Sequence, residues 1–377
     1  ESTGNPQYLD DIYCQKQFPS SPPSQDWRCL SVDTNATHDR QYFIDLGFTP
    51  IDSLPQHVDA LPLQYSPLLA SYLPDTLFVS ILLVQRAKSS LEENERVYLK
   101  YISSSEKAAK TTFQPWSSTK GFAMLNAAST LEESCDFGLK SIENAKNIPL
   151  GDLSTIIHSY DTTAGYQSNC LAYYFLEIGG HQKLKDQLNS FSANTTLGGN
   201  YGCANDYQLG YDFTSIKQPN QPTLSCHVDP DTNYPIIPNS LNTISAVEFY
   251  RRLLFHQYPG VTAQDIQVIL YGAKNSTLFP GLQWGGATTD ISIYVQPENI
   301  VQLDKRSKGQ WRIFSKLGDG TLTSPTYQDQ IALNSYACFP DLEHATNPGV
   351  EFFISAFQSG DRFYSLDQSL HQNIQFI

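Results

Sequence analysis

A chain of 377 residues with 24 basic and 38 acidic side chains has a formal net charge of −14, and its length allows a substantial core in two domains or one large elaborated one. With 40% hydrophobic and 12% aromatic residues it is not a mainly disordered chain. The acidity, without any Lys/Arg-rich run, argues against nucleic-acid binding, and no apolar stretch approaches the roughly 20 residues of a membrane helix.

The first 60 or so residues are rich in Pro, Gln, Ser and Asp, with Pro19, Pro22 and Pro23 clustered. They read as an N-terminal extension, an arm or cap open to a protein partner. Structured patterning begins near residue 61. Leu61 to Leu73 has helical spacing and ends at Pro74, and residues 76–86 read as a buried strand. Arg96–Ile102 suggests the second arm of a hairpin, and Ser117–Leu131 has helix formers on a helical period. More helix is expected around Gly151–Ser159 and Leu171–Ile178, then a long loop from about 190 to 240 rich in Asn, Gly, Pro, Tyr and Asp. Helix returns at Ser245–His256. Three strands follow, Gln310–Leu317, Gln330–Cys338 and Val350–Phe357, before a final helix over roughly Asp361–Phe376.

This order predicts an α/β fold. Strands from both ends complete one antiparallel sheet, helices flank it, and the middle forms a helical subdomain. The division is an extension over 1–60 and one domain over 61–377. Within that domain, 61–116 and 300–377 make the α/β part and 117–299 the mainly helical part.

Seven cysteines without a C-x-x-C pair give no zinc spacing. Their number suits three disulfides and a free thiol in an oxidising compartment, with Cys14–Cys29 and Cys203–Cys226 paired by proximity. The chain does not open with a charged and then apolar leader. That suits a mature secreted chain and a cytosolic one alike, and the cysteine usage sets the expectation of a secreted or periplasmic protein whose signal peptide has been removed. Sequons stand at Asn35, Asn194 and Asn275. The eight histidines show neither H-E-x-x-H nor H-x-H spacing, and no Walker A or G-x-G-x-x-G run occurs. No metal and no cofactor are expected.

Three segments carry chemistry. In Trp116-Ser117-Ser118-Thr119-Lys120, a serine three residues before a lysine at a helix start puts both side chains on one face. The amine can take the hydroxyl proton there, and the helix N-terminus favours developing negative charge. In Gly165-Tyr166-Gln167-Ser168-Asn169-Cys170, a polar turn before a helix can place a hydroxyl near that nucleophile as a proton relay, or simply cap the helix. In Trp311–Gly320, a strand ends in Lys316-Leu317-Gly318 before a turn. Glycine lets a ligand approach the backbone, and the lysine can hold a carboxylate.

In this order the three segments resemble the serine β-lactamase and penicillin-binding superfamily, most nearly class A β-lactamases, whose set is S-x-x-K, S-D-N and K-[ST]-G. The resemblance covers residues 61–377 and is specific in order rather than in any one motif. It implies that Ser117 is acylated by a β-lactam or a D-Ala-D-Ala-like, peptidoglycan-derived amide, with Lys120 as base. It further implies that Ser168 or Tyr166 relays the proton, that Asn169, Lys316, Gly318 and Thr321 contact substrate, and that amides of Ser117 and of the strand near Asp319–Thr321 form the oxyanion hole. The departures are specific. Either Ser168-Asn169-Cys170 replaces S-D-N, or Tyr166-Gln167-Ser168 stands for Y-x-N. Leu317 occupies the place of a hydroxyl residue. No glutamate lies between Glu177 and Glu248, where a class A enzyme carries its deacylating carboxylate, unless Asp206 or Asp212 substitutes. Slow deacylation is therefore expected. The alternatives are a non-catalytic binding protein on this fold and a glutaminase-like amidase.

Overall fold

The computed structural model describes residues 39–87, 96–130, 179–199, 239–255, 312–322, 328–343 and 349–360. To these it adds 141–142, 157, 169, 172, 175–176, 216–217, 260–261, 266, 302 and 305–307. In chain order the strands are β1 (Thr49–Pro50), β2 (Leu63–Tyr65), β3 (Leu77–Ala87), β4 (Arg96–Ser103), β5 (Ser141–Ile142), β6 (Ile216–Lys217), β7 (Arg312–Leu322), β8 (Gln328–Phe339) and β9 (Val350–Ser359). The helices are α1 (Arg40–Asp45), α2 (Pro67–Tyr72), α3 (Glu106–Lys110), α4 (Lys120–Thr130), α5 (His181–Asn189) and α6 (Thr243–Leu254).

Seven strands form one sheet in the order β1-β4-β3-β9-β8-β7, with β2 also on β4. All pairings are antiparallel except β2 with β4. The N-terminal hairpin β3–β4 and the C-terminal strands meet where Ile81 pairs with Ile354. One mixed α/β sheet is thus closed from both ends of the chain, as the order of elements predicts. β1 brings the stretch before residue 61 into the same sheet, and Phe43 of α1 stacks on Tyr98 of β4 at 4.2 Å.

Strand alternation gives the sheet two apolar faces. Leu82, Tyr101, Phe314, Tyr336 and Phe353 face α4 and α6 in the main core. Val79, Ile81, Ile331, Phe352 and Ala356 form a second cluster on the opposite face. Helix α6 is capped by the Asn242 side chain, which accepts from Ser245 N. It is buried on nearly every side, as expected of a helix enclosed by its own core.

Several sequence expectations are corrected. Leu61–Leu73 is not one helix: its first part contains β2, and α2 starts only at Pro67, with Ser66 accepting from Leu69 N as N-cap. Pro62 and Pro67 both lack the N–H that a continuous helix would need. Ser117–Leu131 begins with a 3-10 turn over Trp116–Thr119 before α4. The sequence reading also misses α5, whose buried Leu184 and Leu188 stand four apart. The expected loop from about 190 to 240 and the helices at 151–159 and 361–376 lie wholly or largely outside the described residues. Among the described residues, no helix is long and apolar enough to cross a membrane. Cys338 is disulfide-bonded, and the other six cysteines lie outside the described residues.

A buried ionic knot ties α6 to the sheet. Tyr101 Oη donates to Glu248 Oε2 at 2.6 Å, Arg251 Nε donates to the same oxygen at 2.9 Å, and Arg252 Nε donates to Oε1 at 2.8 Å. Burial alone pushes the Glu248 carboxyl up, but the hydrogen bond and charge of Arg251, with Tyr101 and Arg252, outweigh it and hold it below the ordinary range. Burial, and then the neighbouring Glu248 charge, push the Tyr101 phenol well above its usual value, so it remains a donor.

An unfolded glutamate titrates at about 4.3. Below that value and above the depressed folded one, the unfolded chain binds the extra proton, so stability rises with pH. The contribution is fully present above the unfolded value and is lost as pH falls through the folded one. Urea unfolding from pH 3 to 7 is expected to show this slope, and Glu248→Gln to flatten it. Glu248→Ala strands Arg251 in the core and is expected to cost about 3–5 kcal/mol.

Candidate active site

The candidate site is built on the short turn that enters α4. Residues Trp116–Thr119 form a 3-10 turn, and the Lys120 amide donates to the Ser117 carbonyl. At three residues per turn, positions i and i+3 eclipse, so Ser117 and Lys120 project from one side. Inside the turn, Ser118 N donates to Pro115 O at 3.1 Å, and Ser118 Oγ donates to the same oxygen at 2.6 Å. Ser117 is half-buried, whereas Ser118 and Thr119 are fully enclosed.

Trp116, immediately before Ser117, has φ +49°. A bulky residue in the left-handed region costs of order 1–3 kcal/mol and persists only where its surroundings enforce it. Strand β7 supplies that enforcement. A Cβ on Gly318 would lie 2.5–2.6 Å from Ser118 N, Pro115 O and Ser117 N, and one on Gly320 would strike the Trp116 indole. The indole is held further by Nε1 donating to Gln330 Oε1 at 3.3 Å. This corrects the expected turn after Lys316-Leu317-Gly318: the strand continues to Leu322, with Gly318 opposite Ala332 and Gly320 opposite Gln330. The two glycines let the strand slide flush against the turn instead of ending there.

The three sequence segments therefore meet. Lys120, 2% exposed, donates from Nζ to Asn169 Oδ1 at 2.7 Å, so the second segment reaches the amine of the first. Lys316, on β7, is fully buried, and its Nζ donates to Leu317 O at 2.7 Å. Leu317 points the other way and packs against the second hydrophobic cluster. Thr321 Oγ1 donates to Asp329 Oδ1 at 2.6 Å across the hairpin. Tyr166 and Ser168 lie outside the described residues, as do Asp206 and Asp212.

Two contributors escape the sequence reading. One is Trp116, whose strain no local pattern announces. The other is Asn334, whose Nδ2 donates to Ser118 O at 3.2 Å and Ser118 Oγ at 3.1 Å. Its signal is phase: in Gln330–Cys338 it alternates with the outward Leu333 and Ser335 and shares the inward register of Tyr336. Among the described residues no group of His, Cys, Asp and Glu is placed to hold a metal ion.

No family model matches the chain, and no curated protein matches it in sequence. Solved structures similar to it include the C-terminal domain of the BlaR penicillin receptor of Bacillus licheniformis. That likeness has a TM-score of 0.40 at 9% identity and covers 82% of this chain and 92% of that one. A class D β-lactamase from Sebaldella termitidis gives 0.38 at 11% identity, covering 83% and 93%. Penicillin binding protein 3 of Mycobacterium tuberculosis gives 0.34 at 13%, covering 81% and 73%.

The close approach of β7 to the turn predicts an asymmetry between the two glycines. A methyl at residue 318 meets only backbone, which cannot step aside, and Gly318→Ala is expected to cost about 1–3 kcal/mol. A methyl at residue 320 meets a side chain, the Trp116 indole, which can yield by giving up its hydrogen bond to Gln330, so Gly320→Ala is expected to cost less. Thermal unfolding of the two variants checks the order.

Proposed function

We propose that this chain is a serine acyl-transfer protein of the β-lactamase and penicillin-binding superfamily, acylated at Ser117 by a β-lactam or a D-Ala-D-Ala-like amide. The observation that carries the reading is the convergence of three distant segments on one turn: Ser117 on the turn, Lys120 bound to Asn169, and Gly318 against the Ser117 amide. The motif order read from the sequence supports it independently. In this reading residues 61–377 hold the machinery, and the preceding stretch is an extension whose last part docks on β4.

The chemistry runs through named atoms. Lys120, as a neutral amine, takes the Ser117 hydroxyl proton while Oγ bonds to the substrate carbonyl carbon. The carbonyl oxygen becomes an oxyanion that accepts from the Ser117 N–H and an N–H of β7 near Asp319–Thr321. Collapse breaks the C–N bond, and the leaving nitrogen receives a proton through Ser168 or Tyr166. Asn169 orients the amine of Lys120. In the acylated state Ser117 is an ester, and hydrolysis needs a base to activate water. With no glutamate between Glu177 and Glu248, the ester is expected to be long-lived, as for a penicillin-binding protein rather than a rapid β-lactamase. An oxidising, extracytoplasmic setting fits such a substrate.

One observation favours a second reading, a binding protein that keeps the fold without turnover. Lys316 is buried and turned onto its neighbour's carbonyl, and Leu317 offers no hydroxyl. Both features weaken the capture of a substrate carboxylate.

Incubation with a fluorescent penicillin followed by intact-mass measurement separates the readings. The wild-type protein is expected to gain one acyl group that persists for many minutes, and Ser117→Ala to gain none. No adduct on the wild type, or an adduct that survives Ser117→Ala, overturns the acylation reading.

A further inference from the structure

Strand register lines up a row of buried polar side chains across the inner face of the sheet. Ser103 lies opposite Ser80, Ser80 opposite Ser355, Ser355 opposite Asn334, and Asn334 opposite Lys316. None of the five is more than 1% exposed. Two side chains from above anchor the row. Thr243, at the start of α6, shares a 2.7 Å hydrogen bond with Ser80, and Ser118 accepts both contacts from Asn334.

Asn334 is the member that touches the site. Its Nδ2 makes two hydrogen bonds, both to Ser118, while its buried Oδ1 has no partner. Leaving a buried acceptor unpaired costs roughly 1–3 kcal/mol, so apolar packing alone would favour an aliphatic residue here. What the amide does is hold Ser118, and Ser118 closes the turn onto Pro115 around the strained Trp116. Gly318 presses on this turn from the side, and Asn334 is its tie to the sheet beneath.

We propose that Asn334 is a positioning residue that acts through Ser118 to fix the turn carrying Ser117. Its role in acylation rests on the reading of Ser117 as the acylated hydroxyl; its hold on the turn does not. Ser355 provides an internal control. It sits in the same row, one strand away, with an Oγ that has no partner and no hydrogen bond to the turn.

Two measurements on the full chain test the proposal. The first is amide hydrogen exchange in peptides spanning residues 115–120. Asn334→Ala is expected to accelerate exchange there, and Ser355→Ala to leave it unchanged. The second is the rate of acylation by a fluorescent penicillin. Here Asn334→Ala is expected to lower the maximal rate roughly 10- to 100-fold, the scale of a misplaced reacting group, with the noncovalent dissociation constant unchanged. Asn334→Leu keeps nearly the same shape but lacks the donor, so it carries the same expectations if the alanine variant does not fold. Unchanged exchange in the donor-less variant, or acceleration equal to that of Ser355→Ala, overturns the proposal. If the wild-type protein takes no label yet the donor-less variant exchanges faster at 115–120, acylation at Ser117 fails and the positioning role stands. A labelled wild type with a donor-less variant unchanged in both measurements leaves acylation intact and removes Asn334 from it.

Discussion

Everything at the candidate site depends on how closely an edge strand passes a turn. Strand β7 approaches the Pro115–Ser118 backbone so tightly that residue 318 has no room for a side chain. The constraint is reciprocal. The strand keeps its pairing with β8 through Leu322 because both glycines are flat on that side, and the turn keeps a tryptophan at positive φ because the strand blocks its relaxation. The half-buried Ser117 sits at this seam. Its backbone N lies where a Cβ on residue 318 would press, and Lys120 stands three residues on.

The sheet beneath combines two chemistries. Most of its inner face is aromatic and aliphatic, with Phe314, Tyr336, Phe353, Leu82 and Tyr101 in the core. Through it runs the polar row from Lys316 to Ser103, anchored by Ser118 and Thr243. Such a row is costly in a dry interior unless its members are paired. Backbone carbonyls pair hydroxyls of the row and its anchors: Ser103 Oγ donates to Val79 O at 2.7 Å, and Thr243 Oγ1 donates to Ala108 O at 2.9 Å. The row therefore joins the 105–109 segment, the start of α6 and the α4 turn to one line of the sheet.

The knot at Glu248 does comparable work farther from the site. It places a carboxylate between two arginines of its own helix and a neutral phenol of β4, so α6 is tied to β4 by a buried hydrogen bond as well as by packing. A second buried pair, Arg86 with Glu351, links β3 to β9 at 2.6 Å, with Tyr336 donating to Glu351 at 2.9 Å. The first lies on the helix against the sheet and the second within the sheet that supports the candidate site. Breaking either leaves an uncompensated charge in the core, a larger penalty than losing an exposed pair.

The sequence by itself determined the α/β class, the core strands β3, β4, β8 and β9, helix α6, and the three segments of the candidate site. Those elements are long and strongly periodic, so burial of one face fixes them locally. It also marked Ser117 and Lys120, because their spacing is a local fact of helix geometry. What only the tertiary structure decided is the encounter between segments. The extent of β7 past Gly318 depends on a turn about two hundred residues earlier, and the pairing of β2 depends on where β4 offers a parallel edge. Lys120 meeting Asn169, the strain at Trp116, and Asn334 beneath Ser118 are set by strand order and register. No window of sequence contains both partners of such contacts, so no periodicity within a window can express them.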